Sequence, residues 1–412
     1  MSNTNLTVDW IGNEALRLAH EKASFIGTIN REFDDTFKPG YGSTIRIRIP
    51  SQYTTRTGRV MDVQDGVQQS TQLAVATQWG VDLRYNSQEM AQDLVNFQKL
   101  HLEPAMAQLV SYLDGNCLQQ ATQATYNIVG TPGNTVSTLL VPGQARGRLN
   151  QYLAPKNNRQ LQLDSMSMAD LVNTQAIYNN PASQISEQFR EGLVTRTAMA
   201  DYYENERVWN MTNTNGVSSW VSSQVIANGT ATLLISTTTW FTPAVGETFT
   251  LGWASSLSQG FRACHPETKQ AYSHLQTFTV TAASAATSTI TFSPPIYVSG
   301  PRKNVVKSDG TDFSPAASDV TTTSLIRFTG AASATYAQPL MYYRDAFTFA
   351  TAPLPMMADA ARCVVKTYDG ISLRVWEGSD IRNDEKLTRI DILWGFAAIR
   401  PQWACRIIGA AL

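Results

Sequence analysis

Cys264 is followed directly by His265, and a thiol beside an imidazole is the pairing used in nucleophilic acyl transfer, where the ring takes the proton that frees the thiolate. The spacing argues against that chemistry. Adjacent side chains on a strand point to opposite faces, and the stretch His265 to Val280, HPETKQAYSHLQTFTV, lies in a strand-patterned block. His20, His101 and His274 stand alone, with no H-x-x-x-H spacing to assemble metal ligands. No G-x-x-x-x-G-K run occurs, and the glycines from Gly130 to Gly147 sit among prolines, where they read as turn residues and not as a phosphate cradle. The nine tryptophans, among them Trp10, Trp79, Trp220, Trp240, Trp253, Trp376, Trp394 and Trp403, would suit a sugar-binding surface, but most fall in strand patterns typical of core or interface anchors. The expectation is a non-enzymatic protein with no catalytic residue, cofactor or metal.

The composition points the same way. The 412 residues are 43% hydrophobic and only 16% charged, the missing charge being replaced by Thr, Ser, Gln and Asn. Such a surface suits a chain covered by partners better than a highly charged free monomer. Lys and Arg total 32 against 33 for Asp and Glu, so any contact with nucleic acid is expected to be weak and non-specific. Cys117, Cys264, Cys363 and Cys405 are widely spaced and predict neither a disulfide framework nor a zinc knuckle. The N-terminus lacks a basic start followed by an apolar run, and no stretch of about 18 apolar residues occurs. Neither an export signal nor a membrane span is expected, and a reducing cytoplasm is the simplest compartment.

Periodicity supplies the elements that would position these residues. Thr7 to Phe25 places Val8, Ile11, Ala15, Leu18 and Ala19 on one helical face. Thr44 to Ile49, TIRIRI, alternates strictly, with Ile45, Ile47 and Ile49 on one side and Arg46 and Arg48 on the other. A polar stretch from Ser51 to Ser70 leads to a second alternating run, Gln72 to Trp79, and the whole reads as a long hairpin. From Ser87 the period becomes helical, and after Pro104 it continues through Met106, Leu109, Val110, Leu113, Cys117, Leu118 and Ala121 as a long one-sided helix. Asn127 to Gln151 reads as turn-rich, and Ser167 to Tyr178 as a helix capped by Ser165 or Ser167. From about Met211 to Thr335 the pattern is all β, with runs at Thr232 to Ile235, Thr248 to Leu251, Phe278 to Thr281 and Ser288 to Phe292. After Tyr336 the mixture returns: Ala346 to Ala350 and Gly370 to Val375 read as strands, and Thr388 to Ile399 as a strand, a Gly turn and a strand. A β module inserted in a larger domain accounts for this order.

Four segments resemble the major coat proteins of tailed double-stranded DNA bacteriophages, in the group similar to the coat protein of phage P22. They are Phe189 to Val208 (FREGLVTRTAMADYYENERV), His265 to Val280, Tyr343 to Pro355 (YRDAFTFATAPLP) and Gly370 to Ile407, with its Arg400 and Pro401 turn. They occur in the family's order over nearly the whole chain. The resemblance implies an α+β fold of the HK97 capsid type: N-terminal arm, extended loop, peripheral domain with a spine helix, and axial domain, with an inserted β-rich domain. In this chain those slots fall at 1–43 for the arm, 44–86 for the loop hairpin and its flank, 87–130 for the peripheral domain with the spine helix, 131–212 for the first axial part, 213–335 for a barrel-like insertion and 336–412 for the returning strands. Val217 to Thr230 holds no charged residue, where the P22-like insertion carries a longer charged loop. Charge pairs from this loop are therefore not expected to join neighbouring capsomers.

The function implied is that of a major capsid protein, which self-assembles into an icosahedral shell around double-stranded DNA. Its implied partners are other copies of itself in hexamers and pentamers, a scaffolding protein, a portal protein, weakly held packaged DNA and, optionally, a decoration protein. The places implied are the virion and, during assembly, the host cytoplasm. An isolated two-stranded ribbon is marginal in water, so the hairpin is expected to lie on a neighbouring subunit. Arg46, Arg48, Arg56 and Arg59 would there meet Asp380, Asp384 and Glu385, setting geometry more than affinity; the same arginines could equally form a solvated face. The arm, with Glu14, Glu21, Asp34 and Asp35, is the candidate dock for a scaffolding helix, or it packs on its own subunit. A β-rich tail or adhesion protein is the alternative, and a hydrolase with a binding module a more distant one.

Overall fold

Alternation of isoleucine and arginine builds the first strand, β1 (Thr44–Ile49), whose isoleucines are half-buried and whose arginines are exposed. It forms a two-stranded sheet with β2 (Gln69–Ala74). The run Gln72 to Trp79 is two strands rather than one: β2 ends at Ala74, Val75 is buried and donates its amide to the Ser43 carbonyl at 2.8 Å, and β3 (Thr77–Asn86) then pairs elsewhere. The structure, a computed structural model, describes residues 11, 13–18, 23–33, 37, 42–86, 101–176, 200–214, 220–222, 227–236, 242–252, 260–307, 310, 312, 324–357, 362–368 and 371–409. Residues 87–100, read as the start of a helical pattern, lie outside this set, as do Val8 and Ala19 of the arm helix. Residues 11 and 13–18 are helical, with Ile11, Ala15 and Leu18 buried. Among the described residues no helix is long and apolar enough to cross a membrane.

The chain divides into two compact units. The first comprises Met1–Arg48, Ser70–Leu118 and Phe347–Ile399. Helix α1 (Glu103–Ala124) has Pro104 in its first turn, where a missing N–H leaves nothing unsatisfied. Its predicted stripe of Met106, Leu109, Val110, Leu113, Cys117, Leu118 and Ala121 is buried throughout. From the same helix the fully buried Asp114 accepts the amides of Phe25 and Ile26 at 3.0 and 2.9 Å and the Ser24 hydroxyl at 3.0 Å, pinning a turn of the arm.

Four later strands, β19 (Phe347–Ala352), β20 (Arg362–Tyr368), β21 (Ile371–Asp380) and β22 (Glu385–Ala398), join β3 in a five-stranded sheet. Strand β22 runs unbroken through Gly395, contrary to the Gly turn expected within Thr388 to Ile399. Gly395 serves close approach instead, for a Cβ there would collide with the Ala74 carbonyl. Asp391 of β22 has no exposed surface. Its carboxylate accepts from Arg374 Nη2 at 2.6 Å and from Arg389 Nε at 2.7 Å, and Arg389 lies 3.8 Å from Asp82 of β3. Gly80 faces Asp391 in register, and a Cβ on it would sit 2.5 Å from the Asp391 oxygen.

The second unit comprises Ile49–Gln69, Gln119–Ala346 and Arg400–Leu412. Its flat sheet has the order β4-β23-β18-β5-β6, from Ile128–Val129 (β4), Arg159–Leu163 (β5), Asp201–Glu204 (β6), Leu340–Tyr343 (β18) and Ala404–Ile407 (β23). One face packs with helices α2 (Leu140–Gln151) and α3 (Ser165–Ala176) around Leu149, Leu161, Leu163, Leu171, Cys405 and Ile407. Helix α2 lies within the segment expected to be turns, and Gly143 and Gly147 are helical residues. Pro142 is tolerated because it falls in the first turn, and Pro142, Ala145 and Leu149 bury a narrow stripe. The α3 cap is Asp164, whose Oδ2 accepts the Ser167 amide at 3.1 Å, and not the expected serines. Ser165 instead donates to Glu204 and Glu206.

Between β7 (Asn210–Thr212) and β17 (Thr335–Ala337), which pair antiparallel as a neck, the chain forms a closed six-stranded barrel. The barrel order is β10-β13-β14-β9-β8-β16, from Trp220–Ser222 (β8), Thr230–Ser236 (β9), Thr248–Gly252 (β10), Thr277–Ser284 (β13), Thr289–Ile296 (β14) and Ser324–Phe328 (β16). All four runs predicted in this block are strands. Its interior is filled by Phe249, Phe278, Phe292 and Phe328, with Phe249 centroids 5.6, 5.7 and 5.8 Å from the other three rings. A three-stranded side sheet has the order β12-β11-β15, from Arg262–Cys264 (β11), Ala271–Leu275 (β12) and Val305–Val306 (β15).

Two substitutions test this packing by urea denaturation. Gly395→Ala drives a methyl into backbone and is expected to lower stability by about 3 kcal/mol, at the upper end for overpacking. Asp391→Asn strands the buried Arg374 charge and is expected to lower it by about 3–5 kcal/mol. An unchanged midpoint in either variant contradicts the corresponding contact.

Candidate assembly interface

On β1 the pleat that seats Ile45 and Ile47 against Phe37, Leu73, Val75, Ala350 and Ala397 turns Arg46 and Arg48 outward. Neither makes an ion pair with a described residue. The loop that follows is braced from within. Thr54 and Gln64 exchange two hydrogen bonds, backbone amide to Oε1 at 2.8 Å and Nε2 to backbone carbonyl at 2.7 Å. Arg56 donates to the carbonyls of Gly58 and, at 2.8 Å, Val60, so it shapes its own loop, whereas Arg59 is exposed. The same loop exposes Tyr53, Val60, Met61, Val63 and Val67, with Val60 85% accessible. The charge pattern of the sequence does not mark these apolar residues. Their signal in the sequence is a set of large apolar residues with no strand alternation to bury them.

The expected acidic partners sit at the β21–β22 turn. Asp380 and Glu385 are opposite each other across the hairpin, and Asp384 occupies a left-handed conformation with φ 52°. Asp380 accepts from the Arg382 amide at 2.9 Å and from Asn383 Nδ2 at 2.7 Å, while Glu385 lies 3.4 Å from Arg84 of its own chain. Ile381 at the tip is 98% exposed. In the arm, Glu14 pairs with Arg17, whose hydrogen bonds hold its carboxyl below the usual carboxylate range. Glu21, Asp34 and Asp35 lie outside the described residues.

The thiol and imidazole that could have done chemistry are held apart from it. Cys264 Sγ contacts the Lys303 carbonyl at 3.2 Å, and burial pushes its thiol up to about 11, so the thiolate is disfavoured. His265 Nδ1 accepts the amides of Glu267 and Thr268, both at 3.1 Å, closing the turn before β12. His274 stacks on Tyr272 with centroids 5.3 Å apart; burial, reinforced by the Arg148 charge, pulls it down to about 3 and keeps it neutral. Among the described residues no group of three or more His, Cys, Asp or Glu is placed to hold a metal ion.

The barrel meets the flat sheet through side chains the sequence reading did not single out. Arg406 of β23 is fully buried and donates from Nε to the Thr125 carbonyl at 2.7 Å, from Nη1 to the Gly246 carbonyl at 2.7 Å and from Nη2 to Thr279 Oγ1 at 3.0 Å. Burial pulls its guanidinium down to about 9, still charged at neutral pH. Tyr152 donates to Gln276 Oε1 at 3.0 Å, and Tyr272 to the Gln151 carbonyl at 2.8 Å.

With this geometry the chain is similar in fold to solved phage structures. A structure from Mycobacterium phage Che8 matches with a TM-score of 0.51 at 9% identity, covering 93% of this chain and 90% of that one. The capsid of Ralstonia phage GP4 matches with a TM-score of 0.46 at 8% identity over 95% and 90%, and the capsid of cyanophage P-SCSP1u with 0.44 at 10% over 90% and 85%. No curated protein sequence matches. The family model described as P22 coat protein, gene protein 5, matches residues 40–409. The chain therefore belongs to the P22 coat protein family, has its α+β capsid fold, and is a major capsid protein, a structural subunit that self-associates into the shell of a virion.

Proposed function

We propose that copies of this chain close an icosahedral shell around double-stranded DNA by laying the loop between β1 and β2 on neighbouring copies. The observation that carries this reading is the loop itself: it is stiffened by internal hydrogen bonds yet exposes five large apolar side chains. A monomer gains nothing from that combination, whereas specific association needs roughly 1,000 Å² of complementary surface. Pre-bracing lowers the ordering entropy lost on docking. Burying Val60, Met61 and Val63 contributes about 1.5–3 kcal/mol each, while exposed ion pairs contribute about 0–1 kcal/mol. Affinity in this reading comes from the apolar residues, and Arg46, Arg48 and Arg59 select the register against acids such as Asp380, Asp384 and Glu385 of the next copy.

The same reading assigns 1–43 to the arm, 44–86 to the extended loop, 87–130 to the peripheral domain, 131–212 and 336–412 to the axial domain and its return, and 213–335 to the inserted domain. Scaffolding protein docks at the arm around Glu14, Glu21, Asp34 and Asp35, a portal protein occupies one vertex, and a decoration protein has the outer surface available. Assembly takes place in the host cytoplasm. With 32 basic against 33 acidic residues, the chain holds packaged DNA only weakly, since little counterion release drives binding.

Negative-stain microscopy of the chain expressed with its scaffolding protein is expected to show closed shells; a strictly monomeric or rod-like product overturns the reading. Arg46→Glu with Arg48→Glu should leave subunit folding intact and reduce shell yield in sedimentation. Replacing Val60, Met61 and Val63 together by Ser should raise the protein concentration needed for assembly at least tenfold. Wild-type yield from the triple variant would remove the loop from the interface.

A further inference from the structure

Arg406 is a fully buried cation whose hydrogen bonds go to two backbone carbonyls and a hydroxyl, not to a carboxylate. Strand alternation explains its direction. Cys405 and Ile407 face the core under α2 and α3, so Arg406 leaves the opposite face of β23, toward the barrel. Its three acceptors are far apart in sequence: Thr125 just beyond α1, Gly246 in the turn before β10, and Thr279 in β13. The last two belong to the barrel. Thr279 also donates to the Gln123 carbonyl at 3.1 Å, and Gly246, at φ +95°, has no room for a Cβ, which would sit 2.7 Å from the Trp209 ring and 3.0 Å from Gln123. The socket thus presents three acceptors to one planar fork.

The barrel has its own closed hydrogen-bond ladder and its own core of Phe249, Phe278, Phe292 and Phe328. Among the described residues, none in that core comes from the flat sheet. Covalently it hangs from the short β7–β17 neck, where the Asn213 amide bonds the Ala334 carbonyl at 2.9 Å and the Gln338 amide bonds the Trp209 carbonyl at 3.0 Å. A self-contained barrel on a thin neck, whose base is gripped by a guanidinium from β23 beside the single Thr279–Gln123 and Tyr152–Gln276 hydrogen bonds, is built as a latched body.

We infer that Arg406 is a latch: it fixes the inserted barrel against the flat sheet, and it closes only when β23, which follows the barrel and its sheet neighbours along the chain, adds to the sheet between β4 and β18. The barrel folds before the latch closes and survives its loss, whereas the orientation of the barrel does not. Guanidinium geometry is required because three divergent acceptors match a fork and not an ammonium.

Hydrogen exchange on the unassembled subunit tests this, comparing Arg406→Met, Arg406→Lys and Thr279→Val with Leu161→Ala, a substitution in the core under α2 and α3. Loss of the latch is expected to raise exchange at the Asn213 and Gln338 amides at least tenfold while Phe278 to Val280 and Ile290 to Phe292 keep their wild-type protection. Leu161→Ala should show no such selective opening of the neck. If Arg406→Met does not yield soluble subunit, Arg406→Lys and Thr279→Val carry the test, with Arg406→Lys behaving as an open latch. Unchanged neck exchange, full restoration by Lys, or neck and barrel amides rising together would each overturn the inference.

Discussion

A carboxylate with no access to water has to be met by cations wherever it lies, and Asp391 imposes that condition on the middle of the longest strand. The Born penalty for such a group is large, and removal of either partner leaves a charge that the site cannot solvate. Arg374 from β21 and Arg389 from β22 converge on it, and Gly80 of β3 gives it room. All three sets of contacts depend on one register, because a slip by a single residue would turn Asp391 to the other face. The placement of β3, β21 and β22 follows, and with it the Arg84–Glu385 pair and the exposed tip at Ile381.

How much of this the sequence discloses depends on whether a residue acts through periodicity or through a contact. The α1 stripe from Met106 to Ala121 and the alternation of TIRIRI are periodic, and the structure has both. Helix α2 was hidden because Pro142, Gly143 and Gly147 weaken propensity, while only Ala145 and Leu149 with Pro142 mark its buried face. Gly395 reads as a turn in the sequence because glycine serves both sharp turns and close backbone approach, and only the fold brings up the Ala74 carbonyl that decides between them. Asp391, Arg374 and Arg406 are unremarkable in the sequence: strand pairing brings Arg374 to Asp391, and tertiary packing brings Thr125, Gly246 and Thr279 to Arg406.

The candidate interface shows the same division. Arg46 and Arg48 were visible because they alternate with isoleucine, and that alternation is what turns them outward. Val60, Met61 and Val63 carry no periodic signal, and it is their exposure in a braced loop that shows them uncovered by the described residues. Exposed charge pairs steer and register, while apolar side chains withdrawn from water supply most of the free energy.

Closure of the barrel bears on how an insertion can sit in an assembling protein at all. An open sheet of six strands would present edges to many identical copies at high local concentration, and edge-to-edge pairing would compete with ordered assembly. Closing the order β10-β13-β14-β9-β8-β16 on itself removes those edges, and Phe249, Phe278, Phe292 and Phe328 pack its interior as a core. What such a body can contribute is its outer surface and its orientation. Orientation is not set by the barrel's own ladder, so it must come from the neck and from the groups that grip its base. Of these, Arg406 binds two separate barrel segments and the end of α1 at once, which makes the surface the barrel offers to its surroundings depend on a residue outside the barrel.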